Sequence, residues 1–141
     1  MNAYRYFSDN QESAHFLFSF IPYPMKKFIL HYLAPPAAME AMQALGNASP
    51  EERQANMQKW LDWKASMGDN LVDFGGPTMP MVTRLAANGN ASPASPQLSI
   101  IGYSIVKSEN LDALKSQLGN HPHMNWRDDV SIDIVELMPM G

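Results

Sequence analysis

Two patterns of apolar residues alternate along this chain, one typical of strands and one typical of helices. Residues 26–33 are rich in side chains that favour extended structure, and the run stops at Pro35 and Pro36. Proline cannot donate a ladder hydrogen bond, so this pattern predicts a first strand that ends there. Residues 37–45 then predict a short helical turn closed by Gly46.

The clearest helix signal covers residues 50–67. Ser49 stands at the N-cap position, Pro50 occupies the first helical position, and Glu52 completes a capping box. Apolar side chains recur along one stripe at spacings of three, four and six residues, namely Met57, Trp60, Leu61 and Met67. With Gly68 as a left-handed cap, the sequence predicts one amphipathic helix that packs on a sheet.

The next segments are extended. Residues 71–74 and 79–86 predict one second strand, which Gly75-Gly76-Pro77 interrupts and kinks. Residues 88–97 are small and polar and contain two prolines, so they predict a mobile hairpin tip without a function.

The C-terminal part repeats the alternation of strand and helix. Residues 98–107 predict the third strand, and residues 130–138 predict the last one. Between them, Ser108 or Asn110 caps a helix whose buried stripe consists of Leu111, Leu114 and Leu118.

These elements predict an α+β fold with the order β-α-β-β-α-β. That order is typical of the ferredoxin-like arrangement, in which a four-stranded antiparallel sheet carries its helices on one face. The other face of the sheet is apolar and would be left in water. We therefore expect a homodimer in which two copies cover this face for each other.

Composition narrows the function classes. The chain has 141 residues, a formal net charge of −4, and ten Lys and Arg that form no basic cluster, so nucleic acid is not an expected partner. It contains no Cys, which excludes disulfides and thiolate chemistry, and a cytoplasmic setting is expected. Most of the eleven Met are predicted to fill the core.

Residues 1–24 differ from the rest of the chain. They are crowded with aromatic side chains that follow neither helical nor strand spacing, and their apolar run is too short to span a bilayer. No membrane association is predicted. We interpret residues 1–24 as an N-terminal extension, which need not belong to the natural domain, and residues 25–141 as the domain itself.

Several motifs together resemble the YCII-related, or DGPF-type, domain family over most of residues 25–141. They are the opening 25–30, the Trp60 and Trp63 helix that runs into Gly75-Gly76-Pro77, the strand 101–105, and His121-Pro122-His123 leading into 131–134. The resemblance implies a dimeric α+β barrel in which sheets from two subunits enclose a cleft. Many relatives have no assigned activity, so the resemblance does not supply a function.

The chain departs from the family pattern at two places. The Asp-Gly-Pro-Phe motif is missing, and residues 91–96 stand near its place. Some relatives, including a dehydrochlorinase-type enzyme, are thought to use a His and an Asp from the first helical region. Residues 51–67 contain no His, so that catalytic pair cannot be transferred to this chain.

His121 and His123 form the sharpest polar signal. One intervening residue in an extended segment can direct two imidazoles to the same side, and Pro122 favours that conformation for His121. As a functional pair they would transfer protons or join a metal site, although spacing fixes no third ligand and no metal is predicted. As structural residues they would bind carbonyl groups and help to start the last strand.

Other candidates lie on the strands and the main helix. His31 shares an alternation set with Ile29 and Leu33, and it can meet Tyr103 or Asp133 from neighbouring strands as an acid/base group, or serve as a satisfied sheet histidine. Trp60 can cover a ligand or pack in the core. Arg84 and Arg127 can bind a carboxylate or remain ordinary surface residues.

Two functional hypotheses follow. The first is a cofactor-independent lyase, isomerase or dehydrochlorinase-type enzyme, in which His31, His121 and His123 transfer protons to a small organic molecule in the dimer cleft. The second is a non-catalytic dimeric module that binds a small molecule or a protein. No phosphate-binding loop, nucleophile elbow or His-Glu-x-x-His helix occurs, and no cofactor is predicted.

Overall fold

The computed structural model describes residues 24–140, so the predicted N-terminal extension lies, apart from Pro24, outside the described residues. In chain order the elements are β1 (Lys26–Ala34), α1 (Pro36–Gly46), α2 (Pro50–Met67), a 3-10 turn (Gly68–Asn70), β2 (Leu71–Pro77), β3 (Val82–Leu85), β4 (Ala91–Ala94), β5 (Ser99–Ser108), α3 (Leu111–Gln117) and β6 (Ser131–Glu136).

Four of the strands form the main sheet. Their order is β2-β5-β1-β6, and every neighbouring pair is antiparallel. The predicted α+β class with a four-stranded antiparallel sheet is therefore confirmed.

One face of this sheet carries the core. Alternation along β1 directs Phe28, Leu30 and Tyr32 to that face, where each is at least nine-tenths buried. The helices cover it with one or two buried residues each, namely Ala38 from α1, Trp63 and Met67 from α2, and Leu114 from α3.

The signals at the ends of α2 act as expected. The Ser49 side chain accepts a hydrogen bond from the Glu52 backbone N–H at 3.1 Å, Pro50 opens the helix, and Gly68 ends it with a φ of 55°. A positive φ is strained for residues with a side chain, so glycine suits the cap. At the start of α3, Asn110 rather than Ser108 is the cap, and its side chain accepts from the Ala113 N–H.

The predicted second strand is wrong in one respect. β2 runs through Gly75 and Gly76 to Pro77. Residues 79–86, predicted as the second part of the same strand, instead contain β3, which pairs only with β4 in a separate two-stranded sheet. After Pro77 the chain leaves the main sheet, held by hydrogen bonds from Thr78 to the Ile101 and Ile100 carbonyls. The segment predicted as a hairpin tip thus supplies a strand, and only residues 86–90 form the turn.

Within residues 24–140, no helix covers the second face of the main sheet. We call it the open face and define it by Ile29, His31, Tyr103, Ile105, Asp133 and Val135, whose side chains are partly or largely exposed in the single chain. The strand register sets them in rows across β5, β1 and β6.

The crossing of β2 over β5 provides a sharp test of the fold. Gly75 has a φ of 71°, and an added Cβ would lie 1.9 Å from the Tyr103 carbonyl oxygen, whereas a Cβ on Gly76 would meet nothing within 4 Å. We expect Gly75→Ala to lower the free energy of unfolding by about 3 kcal/mol and Gly76→Ala by less than about 1 kcal/mol. Urea unfolding of both variants measures the difference, and equal losses would contradict this placement of β2.

Candidate functional site

The site is built around Tyr32 on the helix-covered face. The residue opposite Tyr32 on β5 is Gly102, and an added Cβ there would lie 3.1 Å from the Tyr32 ring. The missing side chain therefore leaves room for the aromatic ring. Alternation on β1 directs Tyr32 inward, so its hydroxyl is buried and needs hydrogen-bond partners.

A continuous chain of hydrogen bonds satisfies this hydroxyl. The His123 backbone N–H donates to His121 Nδ1 at 3.0 Å, so Nδ1 is unprotonated and the ring proton lies on Nε2. His121 Nε2–H then donates to Tyr32 Oη at 3.1 Å, and the Tyr32 hydroxyl donates to Ser104 Oγ at 2.6 Å. Ser104 Oγ–H donates to the Phe74 carbonyl at 2.7 Å. The chain links the loop after α3 to β1, β5 and β2.

Aromatic rings enclose His121. Its ring centroid lies 4.3 Å from that of Trp63, 4.9 Å from Tyr32 and 5.0 Å from Trp60. Burial among these rings, with a smaller effect from His123, lowers the pKa of His121 from 6.5 to about 3. Burial likewise raises the pKa of Tyr32 to about 12. Both groups are therefore neutral at physiological pH.

His123 ties the same loop to two strands. Its Nε2 lies 3.0 Å from the Leu33 carbonyl and 3.0 Å from the Ser131 carbonyl, so Nε2 carries the proton and donates to both. Burial lowers the pKa of His123, and these two hydrogen bonds oppose the shift. Because Ser131 is the first residue of β6, His123 fixes the start of the last strand.

A cavity of about 340 Å³ adjoins this network, within a single chain. Its wall is mainly apolar and includes Tyr32, Met42, Met57, Trp60, Phe74 and Trp126 together with His123. The size lies at the small end of the range for ligand sites, and a largely apolar wall with few polar groups is typical of them. The cavity lies on the helix-covered face, whereas the sequence led us to expect a cleft between two subunits.

His123 brings a polar atom to this cavity. Among residues 24–140, the buried side-chain atoms without a hydrogen-bond partner are Trp63 Nε1 and Ser108 Oγ. His123 lines the cavity, and while its Nε2 bonds to two carbonyls, no described residue bonds to its Nδ1. Nδ1 can therefore accept a hydrogen bond from a ligand.

The open face holds the remaining sheet candidates in one row. His31 on β1 is paired in register with Tyr103 on β5 and with Asp133 on β6. Residues directly opposite each other on antiparallel strands share a face, so the three side chains are neighbours, as expected from the alternation of β1. The structure separates this row from His121, His123 and Trp60, which lie on the helix-covered face.

Asp73 extends the row and was not expected from the sequence. Tyr103 Oη donates to Asp73 Oδ2 at 3.1 Å, and Asp73 Oδ1 accepts from the Gly75 N–H at 2.9 Å. The hydrogen bond and the negative charge of Asp73 raise the pKa of Tyr103, which also lines the cavity on the other side of the sheet.

The two arginines lie apart from both groups. Arg84 is on β3 in the exposed hairpin, opposite Ser92, and contributes to neither the cavity nor the row. Arg127 forms a bidentate pair with Asp129, with both N–O distances at 2.8 Å. Its guanidinium is therefore already engaged with a carboxylate of the protein itself.

Sequence reasoning missed several residues of the cavity, above all Tyr32 and Trp126. Tyr32 gave a signal, because it belongs to the buried alternation set of β1 while carrying a hydroxyl that must find a partner. Trp126 follows His123 by three residues and is one of only three tryptophans in the chain. No local pattern connects either residue to Met42 or Phe74.

The described part of the chain contains neither a cluster of metal-binding side chains nor a helix able to span a membrane. In residues 24–140, no group of three or more His, Asp or Glu side chains is arranged to hold a metal ion. None of the helices in that range has the length and apolarity needed to cross a membrane.

Comparison with known proteins leaves the family open. No protein-family model matches the chain, and a search of curated proteins finds no match. The YCII-related resemblance therefore stays a prediction that rests on the motifs quoted above.

The buried network predicts a loss of stability in acid. The unfolded chain protonates His121 near pH 6.5 and the folded protein only near pH 3, so between these values the unfolded state binds more protons. Stability should thus fall as the pH drops below 6.5, and His121 alone should account for about 2 kcal/mol at pH 5. Urea unfolding at pH 7.5 and pH 5 measures the loss.

The matched variants are His121→Gln and Leu114→Ala. His121→Gln should lower the free energy of unfolding at both pH values. It should also make the loss between pH 7.5 and pH 5 smaller by about 2 kcal/mol, because the titrating group is gone. Leu114→Ala removes a fully buried side chain without a titrating group and should keep the full loss. An unchanged acid dependence in His121→Gln would contradict the buried neutral imidazole.

Proposed function

We propose that this domain binds a small, largely apolar ring compound in the cavity beside Tyr32, with a hydroxyl or N–H group of the ligand donating to His123 Nδ1. The observation that carries this proposal is the wall itself, where aromatic and methionine side chains stand beside His123, an imidazole whose Nδ1 has no hydrogen-bond partner in residues 24–140. Apolar burial would supply most of the affinity, and the one acceptor would orient the ligand.

The neutral buried histidines favour binding over proton transfer in this cavity. Both His121 ring nitrogens bond to groups of the protein, and Tyr32 and Ser104 pass their protons along the same chain. This hydrogen-bond chain therefore offers a ligand no donor, and His121 with a pKa of about 3 does not take up a proton near neutrality. This proposal is closest to the second hypothesis from the sequence, a non-catalytic dimeric module that binds a small molecule or a protein, but it places the ligand within one chain.

Tryptophan fluorescence can be used to measure ligand binding in the cavity. Trp60 and Trp126 line it, so small phenols and indoles that enter should change the tryptophan fluorescence. We expect Met57→Glu to weaken the tightest of these compounds about tenfold, equivalent to ~1.4 kcal/mol, because a carboxylate at the rim opposes apolar contact.

Leu111→Glu is the matched control. Leu111 is exposed on α3 to nearly the same extent as Met57 on α2, at 47% and 54%, but does not line the cavity. It should leave binding unchanged. Equal effects of the two variants, or no response of the tryptophans to any ring compound, would refute the proposed site.

A second candidate function is favoured by the row on the open face. A ferredoxin-like, YCII-related dimer would stack two open faces and enclose the row of His31, Tyr103 and Asp133, which is the setting for a cofactor-independent lyase, isomerase or dehydrochlorinase-type enzyme. The support for this candidate is the register that sets an imidazole between a phenol and a carboxylate. Burial in such a cleft would shift the pKa values of these three side chains, as general acid–base catalysis requires.

This candidate requires the dimer, which can be tested directly. Val135 lies on the open face opposite Ile29 and is 47% exposed in the single chain. We expect the protein to sediment as a dimer at micromolar concentration and Val135→Lys to sediment as a monomer, because a lysine would be desolvated between the two sheets.

The control Leu111→Lys places the same charge on α3, away from the open face, and should remain dimeric. A monomeric parent protein would rule out the cleft and the enzyme reading that depends on it. Binding in the cavity beside Tyr32 would be unaffected, since that cavity is formed by one chain.

A further inference from the structure

A second concave region adjoins the cavity. It has a volume of about 630 Å³ and lies between α2 and residues 116–126, and we call it the polar cleft. Asn56, Pro122 and Trp126 line both the cavity and the cleft. Because three residues are shared, the two regions are neighbouring compartments.

The chemistry of the polar cleft differs sharply from that of the cavity. Four side-chain amides line it, those of Asn56, Gln117, Asn120 and Asn125, together with the hydroxyls of Ser66 and Ser116. Amides and hydroxyls both donate and accept hydrogen bonds, which matches the dual character of ligand hydroxyl groups. The charged lining residues, Lys59 and Asp62, offset each other, so the cleft does not select an anion or a cation.

Internal hydrogen bonds hold several of these groups in place. Asn125 Nδ2 donates to the His121 carbonyl at 3.0 Å, which leaves its Oδ1 as an acceptor. Asp62 Oδ1 accepts from Gln58 Nε2 at 2.9 Å, and Ser66 Oγ donates to the Trp63 carbonyl at 2.7 Å, so Asp62 Oδ2 and the Ser66 oxygen also remain acceptors. Preformed acceptors favour a ligand that brings several donors, as a polyhydroxylated molecule does.

Trp126 lines both the cavity and the polar cleft. Its ring lies at the boundary of the two compartments and is partly exposed, and its centroid is 6.1 Å from that of His123. A partly exposed indole offers an apolar surface to the C–H face of a sugar ring while the hydroxyls of the sugar reach the surrounding amides.

We infer that the ligand is amphipathic, with an apolar ring in the cavity beside Tyr32 and an uncharged polyhydroxylated group, such as a glycosyl unit, in the polar cleft. This inference rests on the proposed function, which supplies the first half of the ligand. It adds the second half and the class of compound, a ring conjugated to a sugar or polyol.

The test compares a joined probe with its two halves. The joined probe is 4-hydroxyphenyl β-D-glucopyranoside, the halves are 4-methoxyphenol and methyl β-D-glucopyranoside, and tryptophan fluorescence of the full chain gives the Kd values. The joined probe should bind about tenfold or more tightly than either half, because linking makes the second contact intramolecular. Benzylamine, a cationic ring compound, should gain no such advantage over 4-methoxyphenol.

Paired variants then locate the gain. Gln117→Leu with Asn120→Leu should remove the tenfold advantage of the joined probe and leave the Kd of 4-methoxyphenol unchanged. Gln43→Leu with Gln54→Leu changes two exposed amides that line neither compartment and should change neither Kd. Unchanged melting curves confirm that each pair folds.

The outcomes separate the two claims. If 4-methoxyphenol binds but the joined probe binds no more tightly, or if the gain survives Gln117→Leu with Asn120→Leu, the inference about the polar cleft is wrong and the cavity stands. A selective gain for benzylamine would replace the polyol with a cation and also overturn the inference. If no ring compound binds, the proposed function fails with it.

Discussion

The fold depends on satisfying one buried hydroxyl, that of Tyr32. A phenol placed in the core of a small α+β domain is costly unless both its donor and its acceptor are used. Here His121 donates to the oxygen, and Ser104 accepts the proton and passes a hydrogen bond to the Phe74 carbonyl. These hydrogen bonds join Tyr32 to His121, 89 residues away, and to Ser104, 72 residues away. The loop after α3 must therefore meet β1 and β5 at one point.

The same requirement shapes the candidate site. Because His121 and His123 are held by the backbone and by Tyr32, their orientations do not depend on a ligand. Trp60 and Trp63 pack around His121. Under the proposed function, a wall fixed in this way would bind a rigid apolar molecule without reorganisation. The two faces of the sheet therefore differ in structure, since the helix-covered face forms the cavity and the open face presents the row of His31, Tyr103 and Asp133.

Local sequence signals predicted the elements whose causes are local. The cap at Ser49, Pro50 at the first helical position and Gly68 at the end fixed α2 to the residue, and alternation placed His31 on the face opposite Tyr32. The break after Pro77 was not predictable in the same way. Residues on both sides of it favour extended structure, and whether the second part stays in the main sheet depends on pairing partners far along the chain.

The candidate site shows the same limit. His121 and His123 were recognisable as an unusual pair, and the reading in which they bind carbonyls matches the contacts of His123 with Leu33 and Ser131. Nothing near position 121 indicates that the partner of His121 is Tyr32, or that Trp126 and Met42 share a cavity with His123. Those relations arise from tertiary packing, which single-sequence periodicity does not encode.

The most direct test is long-range ¹H–¹⁵N NMR of the imidazole rings, recorded from pH 7.5 to pH 5 with and without 4-methoxyphenol. The account predicts that His121 stays neutral with its proton on Nε2 throughout, and that the ligand shifts the Nδ1 resonance of His123 while leaving His121 in place. A His121 ring that titrates near pH 6.5, or one that carries its proton on Nδ1, would contradict the hydrogen-bond chain on which both the fold and the cavity depend.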